Sequence, residues 1–226
     1  MCIQCTCVEL SHHANHAPLP VHLCCSFQLP NTTALVQAWK YMSAAAIVGD
    51  INPQRSTFRY DLVDIGHQCL SNLFVDVHTM LRLAYDGALM TNRSDPWLDA
   101  VYSLGTNMSA MILDLDALLA SNENFLLGVW IAGARASVHS EAAKDLYEFN
   151  ARTQVTLWSY HESEVLDYAA KAWGGLVKDL YLSRWDLFFG KVYIAVKSLQ
   201  PLNETEYEQE RFMLEEAWVN KVQQQV

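Results

Sequence analysis

Apolar residues recur along most of this chain at three- and four-residue spacing, the period of an amphipathic helix, and nothing reads as strand alternating with helix. Thr33 is placed to cap a helix from Ala34 to Val48, whose stripe is Leu35, Ala38, Trp39, Met42 and Ala45/Ala46. Gly49-Asp50 and Asn52-Pro53 break it. A long helix follows from Thr57 to about Asp86 and keeps its period through Leu62, Ile65, Cys69, Leu73, Val77, Met80, Leu81 and Ala84, which makes it the expected central post. Asn92 to Pro96 reads as a stop and restart before a helix from Trp97 to Ala120. Asn122 to Asn124 caps a helix from Phe125 to Val138, and Ser140 with Glu141 starts one that reaches Trp158.

In the stretch from Gln154 to Trp185, Val165, Ala169, Ala172, Trp173, Leu176, Val177 and Leu180 fall on one stripe of a further helix. Asp167 and Lys171 lie on its other side, placed to pair. Gly174-Gly175 would then sit mid-helix, where each glycine costs about 1 kcal/mol relative to alanine. The close approach of another backbone or a ligand, or a local kink, has to offset that cost. A bend near Ser183 leads to a helix from Trp185 to Leu199, Pro201 ends it, and a last helix runs from Glu204 to about Gln224. The expectation is an all-α fold, an irregular bundle of about seven to eight helices around a long central one.

Composition narrows the class. The 226 residues are 51% apolar, enough to bury a core unaided, with only 9 glycines and 6 prolines. A net charge of −10 disfavours nucleic acid or an anionic membrane as a partner. The 8 histidines would offset most of that charge in an acidic compartment. No apolar run has the length of a membrane span, and the N-terminus has no recognisable signal peptide.

Met1 to Pro30 stands apart, holding Cys2, Cys5, Cys7, Cys24 and Cys25 with His12, His13, His16 and His22. A zinc site is the sharpest reading of that set, but no second cysteine pair stands at finger distance and no helical period supports a fold. The segment is therefore expected to be an unstructured or misassembled leader, with no metal and no cofactor. Asp61, Asp64 and His67 project from one side of the long helix, as an acid/base pair or metal site might require. A polar helix start, with aspartates at the positive end of the dipole, accounts for them as well. Asp114 and Asp116 do not share a helix face and are expected to be solvated, and Cys69 reads as a small buried apolar residue. No G-x-S-x-G, phosphate-binding glycine loop or H-E-x-x-H motif is present.

Four strings in order carry a resemblance: FRYDLVDIGHQ (Phe58 to Gln68), FLLGVWIAGARA (Phe125 to Ala136), YEFNARTQVTLW (Tyr147 to Trp158), and LDYA-x-K-x-W-x-GL followed by Y-x-x-RW. Over about residues 31 to 221 the chain resembles the C-terminal all-helical region of the lysosomal α-N-acetylglucosaminidases, which are glycoside hydrolases. The resemblance implies that residues 31–226 are that helical domain, cut at both ends, packing on a catalytic (β/α)₈ barrel and bordering its cleft. It also implies a lysosomal or secreted setting and a role in removing terminal N-acetylglucosamine from heparan-type glycans. The catalytic glutamates belong to the barrel, so the chain alone is expected to be inactive.

Carried over by motif position, Trp158, Tyr168, Trp173 and Arg184 are candidates for the cleft-facing or barrel-facing side. Aromatic faces suit the C–H surface of a sugar, and an arginine fork suits a carboxylate. The competing reading makes them core aromatics and a core-stapling ion pair. Asn31, Asn92, Asn107 and Asn203 are N-x-S/T acceptor sites, consistent with secretion. The alternative function is a free-standing, non-catalytic helical module for binding or scaffolding. Without a covering barrel, the apolar side should make the chain poorly soluble or self-associating.

Overall fold

A computed structural model describes residues 32–48, 56–158, 167 and 169–221. The leader's cysteines and histidines, Asn31, the connection near Gly49 to Pro53, Val165 and Tyr168 lie outside the described residues. Among the described residues seven α-helices follow one another: α1 (Thr32–Val48), α2 (Ser56–Thr91), α3 (Asp95–Ala120), α4 (Leu127–Ala136), α5 (Glu141–Gln154), α6 (Leu182–Ser198) and α7 (Glu204–Val219). A 3₁₀ turn at Glu123–Phe125 precedes α4, and a π-helical turn at Val177–Tyr181 leads into α6. The all-α expectation holds.

The helices fall into two compact units, and the division lies within α3 and α6. The first unit takes residues up to Met111 with Phe189–Leu202. Its spine is α2, 36 residues long, and so about 54 Å from end to end. Phe74, Val77, Leu81, Ala84, Tyr85 and Ala88 form its buried stripe. The Tyr85 hydroxyl accepts from the Leu202 backbone N–H at 2.9 Å. Both α2 and α6 stop at left-handed residues, Asn92 (φ 50°) and Leu199 (φ 54°). Arg93 N–H then reaches back to Ala88 O, and Gln200 N–H to Ala195 O, at 3.2 and 3.0 Å, which satisfies carbonyls the helix end leaves open.

The second unit takes Ile112–Phe188 and the residues from Asn203 onward. Leu115, Leu119, Leu176, Leu180, Tyr181 and Trp185 are enclosed in it. Trp185, Phe188 and Tyr207 meet edge to face, with centroids 5.6 and 5.7 Å apart. Asn122 caps the 3₁₀ turn, Ser140 caps α5 and Asn203 caps α7 through their side chains.

Several expectations give way. The helix drawn through Val165 to Leu180 is broken among its described residues: Ala170 to Trp173 is non-helical, Gly174 makes a parallel bridge with Leu126, and Gly175 turns at φ 92°. Helical geometry starts only at Leu176 and continues through Ser183 into α6 without a bend. The helix starting at Glu141 ends at Gln154 rather than Trp158, and α2 runs on to Thr91. Asp61 and Asp64 are exposed and lie beyond the first turn of α2, so the helix dipole does not account for them. Asp116 is buried, not solvated.

Candidate functional site

The segment joining α5 to α6 carries the candidate residues, and its placement follows from a few long-range anchors. After α5 the chain turns at Trp158, whose N–H donates to Thr153 O at 2.7 Å. Trp158 has φ 55°, a conformation costly for a bulky residue. Its ring is 39% exposed and edges a cavity of about 430 Å³ shared with Phe149, Thr153, Leu157, Phe212 and Glu216.

Gly174 shows why glycine is required. Its N–H donates to Phe125 O at 2.7 Å, and its carbonyl accepts from Leu127 N–H at 3.1 Å. A Cβ there would lie 2.8 Å from the Ala120 backbone nitrogen and 2.9 Å from its Cα. Close approach of another backbone is thus the answer to the paired glycines. Next along, Gly175 N–H and Lys178 N–H donate to one carboxylate oxygen of Asp116, at 2.7 and 3.0 Å. A buried aspartate at the start of the Val177–Tyr181 turn satisfies open N–H donors and complements the positive helix end. The Tyr181 hydroxyl donates to Lys171 O at 3.2 Å, which secures the middle of the segment.

Asp167 ties the same segment down through charge. Its backbone N–H donates to Thr156 O at 3.0 Å, and it holds φ 60°. Its carboxylate takes the Arg184 fork at 3.1 and 2.9 Å, a two-pronged pairing. Arg184 is fully enclosed, and its Nε lies 2.8 Å from Glu215 Oε1. Arg211 reaches the same Glu215 oxygen at 2.8 Å and Glu208 at 2.6 Å. Burial works against the Arg184 charge, but Asp167 and Glu215 outweigh it and its pKa rises. Burial pushes Glu215 upward, and Arg184 and Arg211 pull it back. Two guanidinium groups thus face a buried and a half-buried carboxylate, an arrangement that holds segments of chain together.

Trp173 sits differently from Trp158. Its ring lies 5.9 Å from that of Trp130 on α4, inclined at 43°, and the two wall a groove of about 430 Å³ over Val129, Gly133 and Ser137. Trp130 is fixed by its indole N–H donating to Ala151 O at 3.1 Å.

Of the four residues singled out on the sequence, Trp158 and Trp173 reach the surface, Tyr168 lies outside the described residues, and Arg184 is enclosed with carboxylates of its own chain. Lys171, expected to pair with Asp167, is exposed, and Arg184 takes that place. Sequence reading missed Asp116, Glu215, Arg211 and Trp130. Asp116 meets partners far away in the chain, so no local pattern marks it, and for Glu215 the Arg211 pair one turn earlier was a local signal while Arg184 lies far off. Asn92, Asn107 and Asn203 are exposed. Cys69 is half-buried, with burial pushing its thiol pKa up. His67 is lowered by burial and partly restored by Asp64. Among the described residues no group of three His, Cys, Asp or Glu side chains could hold a metal, and no helix is long and apolar enough to cross a membrane.

A retaining glycosidase needs two carboxyl groups about 5–5.5 Å apart across a sugar. Of the carboxylates that converge here, Glu215 is enclosed in the helical core and Asp167 is largely covered, and both are engaged by arginines. The class this defines is an all-helical domain that presents tryptophans at its surface and uses its buried charges for cohesion.

The chain belongs to the α-N-acetylglucosaminidase family: residues 11–226 match the family model described as the alpha-N-acetylglucosaminidase (NAGLU) C-terminal domain. The match begins inside the segment set apart as a leader. Human alpha-N-acetylglucosaminidase is 34% identical over 189 residues, which are 84% of this chain and 24% of the human enzyme. CpGH89 from Clostridium perfringens, solved in complex with its substrate GlcNAc-alpha-1,4-galactose, is 25% identical with a TM-score of 0.68, over 83% of this chain and 20% of that one. A family 89 glycoside hydrolase from the same organism, in complex with 2-acetamido-1,2-dideoxynojirmycin, shares the fold at 23% identity and a TM-score of 0.69, over 84% of this chain and 21% of that one. The chain therefore spans about a quarter of the human relative's length, and the larger enzyme has further domains.

Proposed function

We propose that this chain serves as the helical domain of an α-N-acetylglucosaminidase, packing on the catalytic barrel and shaping the cleft for terminal α-N-acetylglucosamine on heparan-type glycans. The observation that carries the reading is the family match over residues 11–226, in a chain that spans 24% of the human enzyme. Trp158 and Trp173, with Tyr168, are the residues we assign to the cleft-facing or barrel-facing side. Two of them sit at the ends of a segment anchored by Asp116, Asp167 and Gly174, and rigid support of this kind is what a binding aromatic needs. Arg184 serves that side indirectly, by holding Asp167. The chemistry of bond cleavage belongs to carboxylates of the barrel. The setting is lysosomal or secreted, and the exposed Asn92, Asn107 and Asn203 are acceptable glycan sites there.

The test is hydrolysis of a chromogenic α-N-acetylglucosaminide at acid pH. The purified chain should give no turnover above a blank. A hybrid, in which this chain replaces the segment of the human enzyme that it matches, should hydrolyse the substrate. An inactive hybrid, or turnover by the chain alone, overturns the reading.

A further inference from the structure

We propose that the solvent-facing side of α4 is the surface on which the catalytic portion of the enzyme docks, through an apolar, uncharged ridge. This rests on the function proposed above and says which face of the domain meets its partner. α4 is a ten-residue apolar helix, LGVWIAGARA, in which Leu127 alone is buried. So short a helix is marginal by itself. In this chain its support comes from α5, from the Trp130 bond to Ala151 and from the segment of Trp173 and Gly174.

The opposite side is unfilled. Gly128, Ala132 and Ala136 recur at every fourth position along one line, and Val129, Gly133 and Ser137 along the next. All six are exposed, and a Cβ built on Gly128 or Gly133 meets nothing within 4 Å. Such a surface lets another backbone come close.

The face also lacks charge, in a chain of net −10. The one charged residue of α4, Arg135, is turned to α5, where it reaches Asp145 at 2.8 Å, Glu148 at 2.9 Å and Glu141 at 3.3 Å. Charge depletion with aromatics at the edge is the composition of an interface core, and the Trp130–Trp173 pair supplies those aromatics. A glycan would need hydroxyl partners here. The groove offers Ser137, whose own hydroxyl is already given to Gly133 O at 3.0 Å. The occupant we assign is the remainder of the larger family enzyme, of which this chain spans about a quarter.

Hydrogen exchange of the α4 amides tests this, comparing the isolated chain with the hybrid human enzyme. Exchange should be at least tenfold slower in the hybrid. Gly133→Arg should leave the isolated chain's circular dichroism intact and should not lower its melting temperature, since the side chain enters open space. In the hybrid the same change should remove that protection, and Gln209→Arg, on the exposed side of α7, should not. An active hybrid whose α4 exchanges as in the isolated chain overturns the docking face and leaves the proposed function standing. An inactive hybrid with α4 protected by Gly133 keeps the face and removes the function, and one without protection removes both. Protection that grows with the concentration of the isolated chain makes a second copy the occupant and also overturns the proposal.

Discussion

Gly174→Ala is the sharpest probe of how the segment before α6 is held. The added methyl would lie 2.8 and 2.9 Å from the backbone of Ala120, and a main chain inside a helix cannot step aside as a flexible side chain can. Overpacking costs about 1–3 kcal/mol. The shift would also strain the two bonds that join Gly174 to Phe125 and Leu127, each worth about 1 kcal/mol. The sum is about 3–5 kcal/mol, a fall in melting temperature of roughly 6–20 °C for a chain of this size.

Two neighbouring comparisons separate this cause from a general intolerance of change at glycine. Gly175→Ala meets its nearest neighbour only at 3.7 Å but must hold φ 92°, for a loss of about 1–2 kcal/mol. Gly133→Ala stands in open helix and should gain up to about 1 kcal/mol. Thermal melting followed by near-UV circular dichroism reads all three. Had Gly174 been in a helix, as the spacing alone predicts, alanine would stabilise it. A Gly174→Ala chain that melts within about 2 °C of the parent, or above it, refutes the close-approach argument.

Other consequences follow from the charges. Asp167→Asn leaves the enclosed Arg184 short of a partner and should cost about 3 kcal/mol or more, whereas Lys171→Ala should stay within about 0.5 kcal/mol. Urea denaturation measures both, and equal losses would return Lys171 to the role the sequence pattern gave it. His78 is buried on α2 with its pKa lowered to about 4, by burial first and by Arg82 second. Between that value and about 6.5, the unfolded chain takes up a proton that the folded one does not. The stability present above pH 6.5 is therefore lost as pH falls towards 4, by about 2 kcal/mol at pH 5. His78→Gln should flatten this slope, and a slope unchanged by the substitution contradicts it. In the hybrid enzyme, Trp173→Ala should lower kcat/KM at least tenfold, with the melting temperature of the isolated chain reduced far less; equal kinetics would remove Trp173 from the functional face.

Periodicity was enough wherever a helix buries its own stripe against neighbours. α2 is the clear case: Val77, Leu81 and Ala84 were read as core and are core, although Leu73 and Met80 of the same stripe stand exposed. The same reasoning failed between Ala169 and Gly175, where three- and four-residue spacing continues but the backbone pairs with Leu126. Spacing registers which residues are apolar, and it is blind to a backbone bond with a segment that lies earlier in the chain. The paired glycines were the one local warning, and they pointed to the right physical cause. Asp116 was misjudged for a similar reason, because its partners are backbone N–H groups that no residue type announces. Arg184 was chosen for its fork geometry, and the fork is used, but on Asp167 inside the domain. Trp158 and Trp173 were found from motif position, and Trp130, which completes the groove, was passed over as part of an apolar helix.

The account's central claim is that this chain is a supporting domain whose activity exists only in company. Hydrolysis of the chromogenic α-N-acetylglucosaminide by the isolated chain and by the hybrid human enzyme, side by side at acid pH, tests it most directly. The account predicts turnover by the hybrid and none above the blank by the chain. Turnover by the chain alone, or a folded hybrid that hydrolyses nothing, would contradict it.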